Sequence, residues 1–376
     1  MPVRIAPTLA GMATYPFVQL EEARRRLVAE GIDVIDFGKG DPNEPTDPSI
    51  RQALVAAVPE RAPYPLAAGL PELREATAGW CRRRFGVDLD PGTELVPTYG
   101  SKEAIFSLAQ VLVDPASEKR VVAYGEPAYP VYERGALFAG AEVRTLPLLR
   151  ENGFLPDLGL LDERTAIVWV NYPHNPTGAL APLSFYERLA ELAERLDFVI
   201  ASDEAYSELW FDEPPASALQ VADRSRVIVF QTLSKRSSMT GYRSGFVAAP
   251  AEVIAALKAY RPTVGTAPQE FVQRASVVAW DDERHVVDTR ARYAAKRDVL
   301  LPVLAALGWE VVASDATMYL WVAVPDAEAL VERLLARGVL VAPGSFFGPS
   351  GEGYIRFALV PTLAECERAA AILAEL

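Results

Sequence analysis

Lys235 carries the most specific chemistry in this chain of 376 residues. It follows Val227-Ile228-Val229-Phe230, an apolar run that reads as a buried strand. An ammonium brought to the end of such a strand must find anions, lose its proton or react, because an unpaired buried charge is expensive. Ser234 and Thr232 lie just before it and Arg243 shortly after, hydroxyl and guanidinium donors suited to a phosphate. Three more segments bring polar groups to the ends of apolar runs. Residues 166–178 pass from a strand into Asn175-Pro176-Thr177-Gly178. The turn accounts for Pro176 and Gly178, whereas Asn175 places an amide at the strand edge where open α/β sheets bind ligands. Residues 198–206 deliver Asp203 to another strand end, with Tyr206 three positions on. A carboxylate there either caps a helix or faces a cation. In residues 96–109, Gly100-Ser101-Lys102 precede apolar residues at helical spacing, so Ser101 reads as an N-cap beside amides that form an anion site.

An amine, phosphate donors, a buried carboxylate and a ring-directed amide and phenol together suit pyridoxal 5'-phosphate, held as a Schiff base on Lys235. Asp203 would face the protonated pyridine nitrogen and keep the ring an electron sink. Removing one partner of such a buried pair costs roughly 3–5 kcal/mol. Asn175 and Tyr206 would share the ring oxygen.

Further motifs stand in the same order along essentially the whole chain. They are Gly40-Asp41-Pro42, Tyr64, Gly69-Leu70-Pro71-Glu72-Leu73-Arg74, Pro127-Ala128-Tyr129-Pro130 and Arg356. With the segments above, the sequence resembles the fold-type I pyridoxal-phosphate enzymes, and within them the class I/II aminotransferase family. The resemblance implies that Lys235 moves a proton between substrate and cofactor after releasing its covalent link. It places Tyr129 against the ring face and Ser101, Lys102, Thr232, Ser234 and Arg243 around the phosphate. Tyr64 would serve the phosphate of a neighbouring subunit, making the protein a homodimer with shared sites. Arg356, with the backbone at Gly40, would grip the substrate α-carboxylate, a task for which a planar guanidinium is matched. Tyr15, in an N-terminal arm, would close over the substrate.

Residues 234–243, Tyr319-Leu320-Trp321 and residues 341–349 resemble more closely the actinobacterial-type N-succinyldiaminopimelate aminotransferases. That implies transfer of an amino group from glutamate to N-succinyl-2-amino-6-oxopimelate in lysine synthesis. A broad aspartate or aromatic aminotransferase, an LL-diaminopimelate aminotransferase and a carbon–sulfur β-lyase share the same residues. A sensor module would normally add a DNA-binding segment before Gly40. A distal carboxylate asks for a further cation, with Lys39, Lys102 and Arg236 as candidates and Lys39 preferred because it adjoins Gly40.

These residues need a scaffold of alternating strands and helices. Residues 121–124, 167–171, 198–201, 227–230 and 245–249 read as strands, and 183–196 and 251–260 as amphipathic helices. The expected fold is α/β, the fold-type I transferase architecture: a large domain with a mostly parallel sheet between helices, plus a smaller α+β domain. The division expected is an arm over 1–45 packing with the small domain, a large domain over 46–275 and a small domain over 276–376. In the last part 289–307 reads as a helix with Pro302 inside it, 309–312 and 318–322 as strands, 327–336 as a helix and 341–345 as a simple loop.

Composition sets outer limits. Half the residues are apolar, and the net charge of −13 disfavours nucleic acid. Cys81 and Cys366 form no disulfide framework, and His174 and His285 lack metal-ligand spacing. With no charged-then-apolar leader and no run of twenty apolar residues, no membrane is expected and the cytoplasm is the default setting.

Overall fold

The computed structural model describes residues 3–10 and 16–376. A helix, Pro16–Ala29, leads into the short strand β1 (Ile35–Asp36). The principal sheet then takes β2 (Leu95–Thr98), β3 (Val121–Glu126), β4 (Glu142–Pro147), β5 (Thr165–Asn171), β6 (Val199–Asp203), β7 (Val227–Thr232) and β8 (Gly245–Ala248). Its order is β2-β8-β7-β6-β5-β3-β4. All neighbours run parallel except β8, which is antiparallel to both β2 and β7. Strands covered on both faces read as continuous apolar runs rather than alternating ones, which is why β5, β6 and β7 were legible in the sequence. Alternate residues of β5 serve opposite faces. Val168 and Val170 join a core with Trp80, Phe185 and Phe246, while Ile167 and Trp169 join one with Ile105, Tyr132 and Phe230. The sequence reading left out β2 and β4. The latter is a half-exposed edge strand whose Glu142, Arg144 and Thr145 break any apolar run.

The C-terminal part adds β9 (Glu310–Ala313), β10 (Tyr319–Ala323), β11 (Val339–Leu340), β12 (Ala342–Pro343) and β13 (Tyr354–Ala358). Four of them form an antiparallel sheet of order β12-β13-β10-β9. Residues 341–345 are thus more than the expected loop: Ala342 and Pro343 pair with Arg356 and Ile355 as an edge strand, where proline's missing N–H is tolerated. Residues 289–306 belong to a longer helix, Arg284–Ala306, which passes through Pro302 as one element and is followed by Leu307 as its C-cap. The N-terminal segment joins this part. Ile35 pairs with Val339 across β1 and β11, and Leu20 packs in a cluster with Trp321 and Leu340. Residue 275, expected to end the large domain, lies inside the helix Glu270–Asp281. That helix buries Ala275, Ala279 and Trp280 in the core of the principal sheet, so packing partners change only after Asp281.

Among the described residues no helix is long and apolar enough to cross a membrane, and no group of three or more His, Cys, Asp or Glu is placed to hold a metal. Cys81 and Cys366 are buried free thiols.

Candidate active site

Parallel neighbours end on the same edge, so β5 and β6 deliver Asn171 and Asp203 side by side, and β7 runs on past Asp203's partner Phe230 to end at Thr232. A cavity of about 730 Å³ opens there, closed on its other side by the segment 39–41, Tyr319, Phe347 and Arg356.

Lys235 sits on a single helical turn, Leu233–Arg236, that follows β7, instead of closing the strand itself. Thr232 caps that turn by accepting a hydrogen bond from the Ser234 amide at 3.1 Å, and its hydroxyl lies 2.9 Å from that of Ser234. The Lys235 ammonium donates to the Gly40 carbonyl and lies 4.0 Å from the Asp41 carboxylate. Burial brings its pKa down from 10.5 to about 8; Asp41 opposes this, and Arg356 and Arg243 add to it. A neutral amine is therefore within reach near physiological pH.

Asp203 is 5 % exposed and starts no helix. Its carboxylate accepts from the Tyr132 hydroxyl at 2.8 Å and the Ala205 amide at 3.2 Å, yet burial still pushes its pKa up to about 6. Asn171 donates to the Asp203 carbonyl at 2.7 Å and accepts from the Asn175 amide at 3.0 Å, fixing both neighbours. The Asn175 side-chain oxygen in turn accepts from Arg356 Nη1 at 3.0 Å, while Arg356 Nη2 donates to the Gly38 carbonyl at 2.9 Å. Arg356 lies over two aromatic rings, its guanidinium carbon 4.3 Å from the Tyr319 centroid and 4.5 Å from that of Phe347. The Tyr206 hydroxyl meets the Tyr319 hydroxyl at 2.8 Å.

At the opposite end of the cavity the helix Ser101–Leu112 begins. Gly100, with φ of +70°, holds the cap position, so Ser101 is the first helical residue and not the N-cap expected of it. No side chain caps these amides, which leaves an anion site of the kind helix N-termini provide. Glycine is required at Gly100 by its positive φ and at Gly245 by backbone contact. A Cβ on Gly100 would lie 2.4 Å from Arg243 Nη2, and one on Gly245 would lie 2.3 Å from the Gln231 carbonyl. Arg243 donates to the backbone carbonyls of Thr240 at 2.9 Å and Tyr99 at 3.4 Å. Lys102 and Tyr129 line the same end, with the Lys102 ammonium 5.6 Å from the Tyr129 centroid.

The structure therefore gathers Gly40, Ser101, Lys102, Tyr129, Asn175, Asp203, Tyr206, Thr232, Ser234, Lys235, Arg243 and Arg356 around one cavity. Tyr64 is fully exposed and not among its lining, and Tyr15 lies outside the described residues. Of the distal cations, Arg236 is excluded. One residue of helix turns a side chain by about 100°, which takes Arg236 away from the cavity that Lys235 faces. It is buried over the Trp280 ring and bonded to the Ala279 carbonyl and the Glu283 carboxylate. Lys39 lines the cavity but is ion-paired with Glu21, which Arg24 and Arg25 also contact. Together these cations hold the Glu21 carboxyl down at about 2, the Lys39 contact foremost. Sequence reasoning missed Tyr132, Asn171, Tyr319 and Phe347. The three aromatics sit in apolar surroundings that look like core, and only Asn171, at the end of a legible strand, carried a signal.

A buried carboxylate and a lysine of lowered pKa lining one cavity, with an uncapped helix terminus flanked by Arg243, fit pyridoxal phosphate, and with this sheet they define a fold-type I pyridoxal-phosphate enzyme. Comparison with known proteins gives the family. The model for aminotransferase class I and II matches residues 32–373, and the chain belongs to that family. An LL-diaminopimelate aminotransferase of Aquifex aeolicus is 41 % identical over 362 residues, 93 % of either chain. An aminotransferase structure from Neisseria meningitidis superposes with a TM-score of 0.92 at 37 % identity over 99 % of both chains. The structure of a probable N-succinyldiaminopimelate aminotransferase from Thermus thermophilus gives 0.88 at 30 % identity, over 96 % of this chain and 99 % of that one. The protein is a pyridoxal-phosphate-dependent aminotransferase.

Proposed function

We propose that this aminotransferase works in diaminopimelate and lysine synthesis, exchanging an amino group between glutamate and the oxo form of LL-diaminopimelate. The observation that carries the substrate is the 41 % identity to an LL-diaminopimelate aminotransferase across 93 % of both chains. It moves the reading away from the N-succinylated substrate that the local motifs suggested. The Thermus relative, at 30 % identity, keeps that substrate as the second reading.

When bound, the cofactor supplies an electron sink that stabilises negative charge at the substrate α-carbon. The chain's residues do the rest. Asp203, held by Tyr132 and the Ala205 amide, provides the anion that keeps the ring nitrogen protonated. Asn175 and Tyr206 bear on the ring oxygen, and Tyr129 covers one ring face. Ser101, Lys102, Thr232, Ser234 and Arg243 hold the phosphate, with Tyr64 of the partner subunit completing it in a homodimer. Arg356, supported by the Tyr319 and Phe347 rings, receives the α-carboxylate through its two-pronged face beside Gly40. Lys235, neutral above about pH 8, is the base that would take the proton from the substrate α-carbon and hold it for return. Tyr15 remains the residue assigned to cover the substrate.

The test is a substrate panel on the cofactor-loaded protein. Formation of glutamate from 2-oxoglutarate with LL-diaminopimelate, and not with its N-succinyl derivative, is the expected result. The reverse preference would restore the succinylated substrate. Pyruvate and ammonia released from a sulfur amino acid would instead identify a lyase.

A further inference from the structure

We propose that Tyr319 is a positioning residue of this active site, holding the Tyr206 hydroxyl as a hydrogen-bond donor and supporting the Arg356 guanidinium on its ring. The proposal rests on the reading above that Tyr206 bears on the cofactor's ring oxygen.

Three separate contacts converge on this one side chain. Tyr319 opens β10, the strand beside β13, and is 2 % exposed at the cavity wall. Its hydroxyl lies 2.8 Å from that of Tyr206, with the two rings edge to face at 5.4 Å and 64°. Its ring face supports Arg356 at 4.3 Å. Its hydroxyl also occupies the space beside Gly40, where a Cβ would come within 2.4 Å. Gly40 is the residue whose carbonyl accepts from Lys235.

The direction of the phenol pair follows from counting protons. Each phenol has one proton to give and lone pairs to accept. If Tyr206 gives its proton to the ring oxygen, Tyr319 must give its own to the Tyr206 oxygen. Hydrogen bonds in a chain polarise one another, so Tyr319 makes Tyr206 the stronger donor. Burial keeps Tyr319 a neutral phenol with that proton in place, while the cation over its ring favours giving it. Tyr319 therefore acts on the cofactor through Tyr206, and on the substrate through Arg356, with no need to touch either.

The two actions separate in two variants. A donor to the ring oxygen stabilises the state in which the nitrogen linking Lys235 to the cofactor has lost its proton. Weakening that donor therefore raises the pH at which the visible band of the loaded protein titrates. Tyr206→Phe should raise this midpoint by about one pH unit and Tyr319→Phe by about half as much, with no further rise from Tyr319→Phe in a Tyr206→Phe background. Tyr319→Phe keeps the ring under Arg356, so KM should change less than about threefold, whereas Tyr319→Leu removes that face and should raise KM about tenfold. An unmoved midpoint in Tyr319→Phe while Tyr206→Phe shifts, or equal shifts from Tyr319→Phe in both backgrounds, would overturn the phenol relay. Equal KM values in Tyr319→Phe and Tyr319→Leu would overturn the support of Arg356. If Tyr206→Phe leaves the midpoint in place, the ring-oxygen assignment of Tyr206 itself falls.

Discussion

Replacing Asp203 with Asn separates what this carboxylate costs the fold from what it contributes to cofactor binding. Asp203 is 5 % exposed, and burial raises its pKa from 3.8 to about 6 against the opposing bonds from Tyr132 and the Ala205 amide. A pKa higher in the folded than in the unfolded chain favours the protonated form in the fold. Its contribution is full below about pH 3.8 and is lost as the pH rises through about 6. The rise is worth roughly 3 kcal/mol at 1.36 kcal/mol per pH unit, all of it lost by pH 8. Asparagine cannot ionise; its single side-chain oxygen can keep the bond from the Ala205 amide, and its amide N–H can donate to the Tyr132 hydroxyl, which accepts in turn. The cofactor-free Asp203→Asn protein should therefore be more stable than cofactor-free wild type at pH 8 by about 2–3 kcal/mol, and by about half that at pH 5. Urea unfolding at the two pH values measures it. Loading with pyridoxal phosphate should reverse the order, because the variant has no anion for the ring nitrogen and loses roughly 3–5 kcal/mol of that buried pair. Equal stabilities at pH 8, or a stability gap that ignores pH, would refute the claim that Asp203 is held charged at the fold's expense. Unchanged cofactor affinity would refute its pairing with the ring.

The remaining predictions concern the lysines and Gly40. Capture of pyridoxal phosphate by the cofactor-free protein requires neutral Lys235, whose pKa lies near 8, so the rate should climb about tenfold per pH unit below 8 and level off above it. Stopped-flow absorbance would show this, and a flat profile from pH 6 to 9 would contradict it. Gly40→Ala forces a Cβ to 2.4 Å from the Tyr319 hydroxyl. A displacement of that size should lower kcat/KM about 100-fold while the cavity's phosphate end still binds cofactor, and wild-type kcat/KM would refute the contact. Lys39→Ala should raise KM about tenfold for acceptors with a distal carboxylate and leave monocarboxylic acceptors unchanged. Glu21→Gln should lower KM for the same dicarboxylic acceptors by freeing Lys39 from its ion pair. Equal effects on both substrate classes would remove Lys39 from the specificity argument.

The sequence by itself determined the chemistry and most of the scaffold, because the signals involved are local. Lys235, Asp203 and Asn175 each follow an apolar run whose length marks a buried strand, and the helices Leu183–Leu196 and Ala327–Ala336 show their apolar faces at helical spacing. Signals that depend on a neighbour far along the chain were not there to be read. Tyr132 looks like any aromatic of an apolar helix until β6 brings Asp203 to its hydroxyl across 71 positions. Tyr319 and Phe347 look like core until β13 brings Arg356 over both rings. Ser101 was read as a cap because serine favours that role, but the turn after β2 needs a left-handed residue one position earlier, and only Gly100 leaves room for Arg243. Lys39 and Arg236 were both plausible cations in the sequence. Tertiary structure removed Arg236, which the single turn after β7 buries against Trp280, and left Lys39 and Lys102 on the cavity, Lys39 met there by Glu21 from the helix Pro16–Ala29. Strand propensity and turn chemistry act within a few residues, whereas the direction of a side chain and the partner of a charge are set by what the fold packs against them.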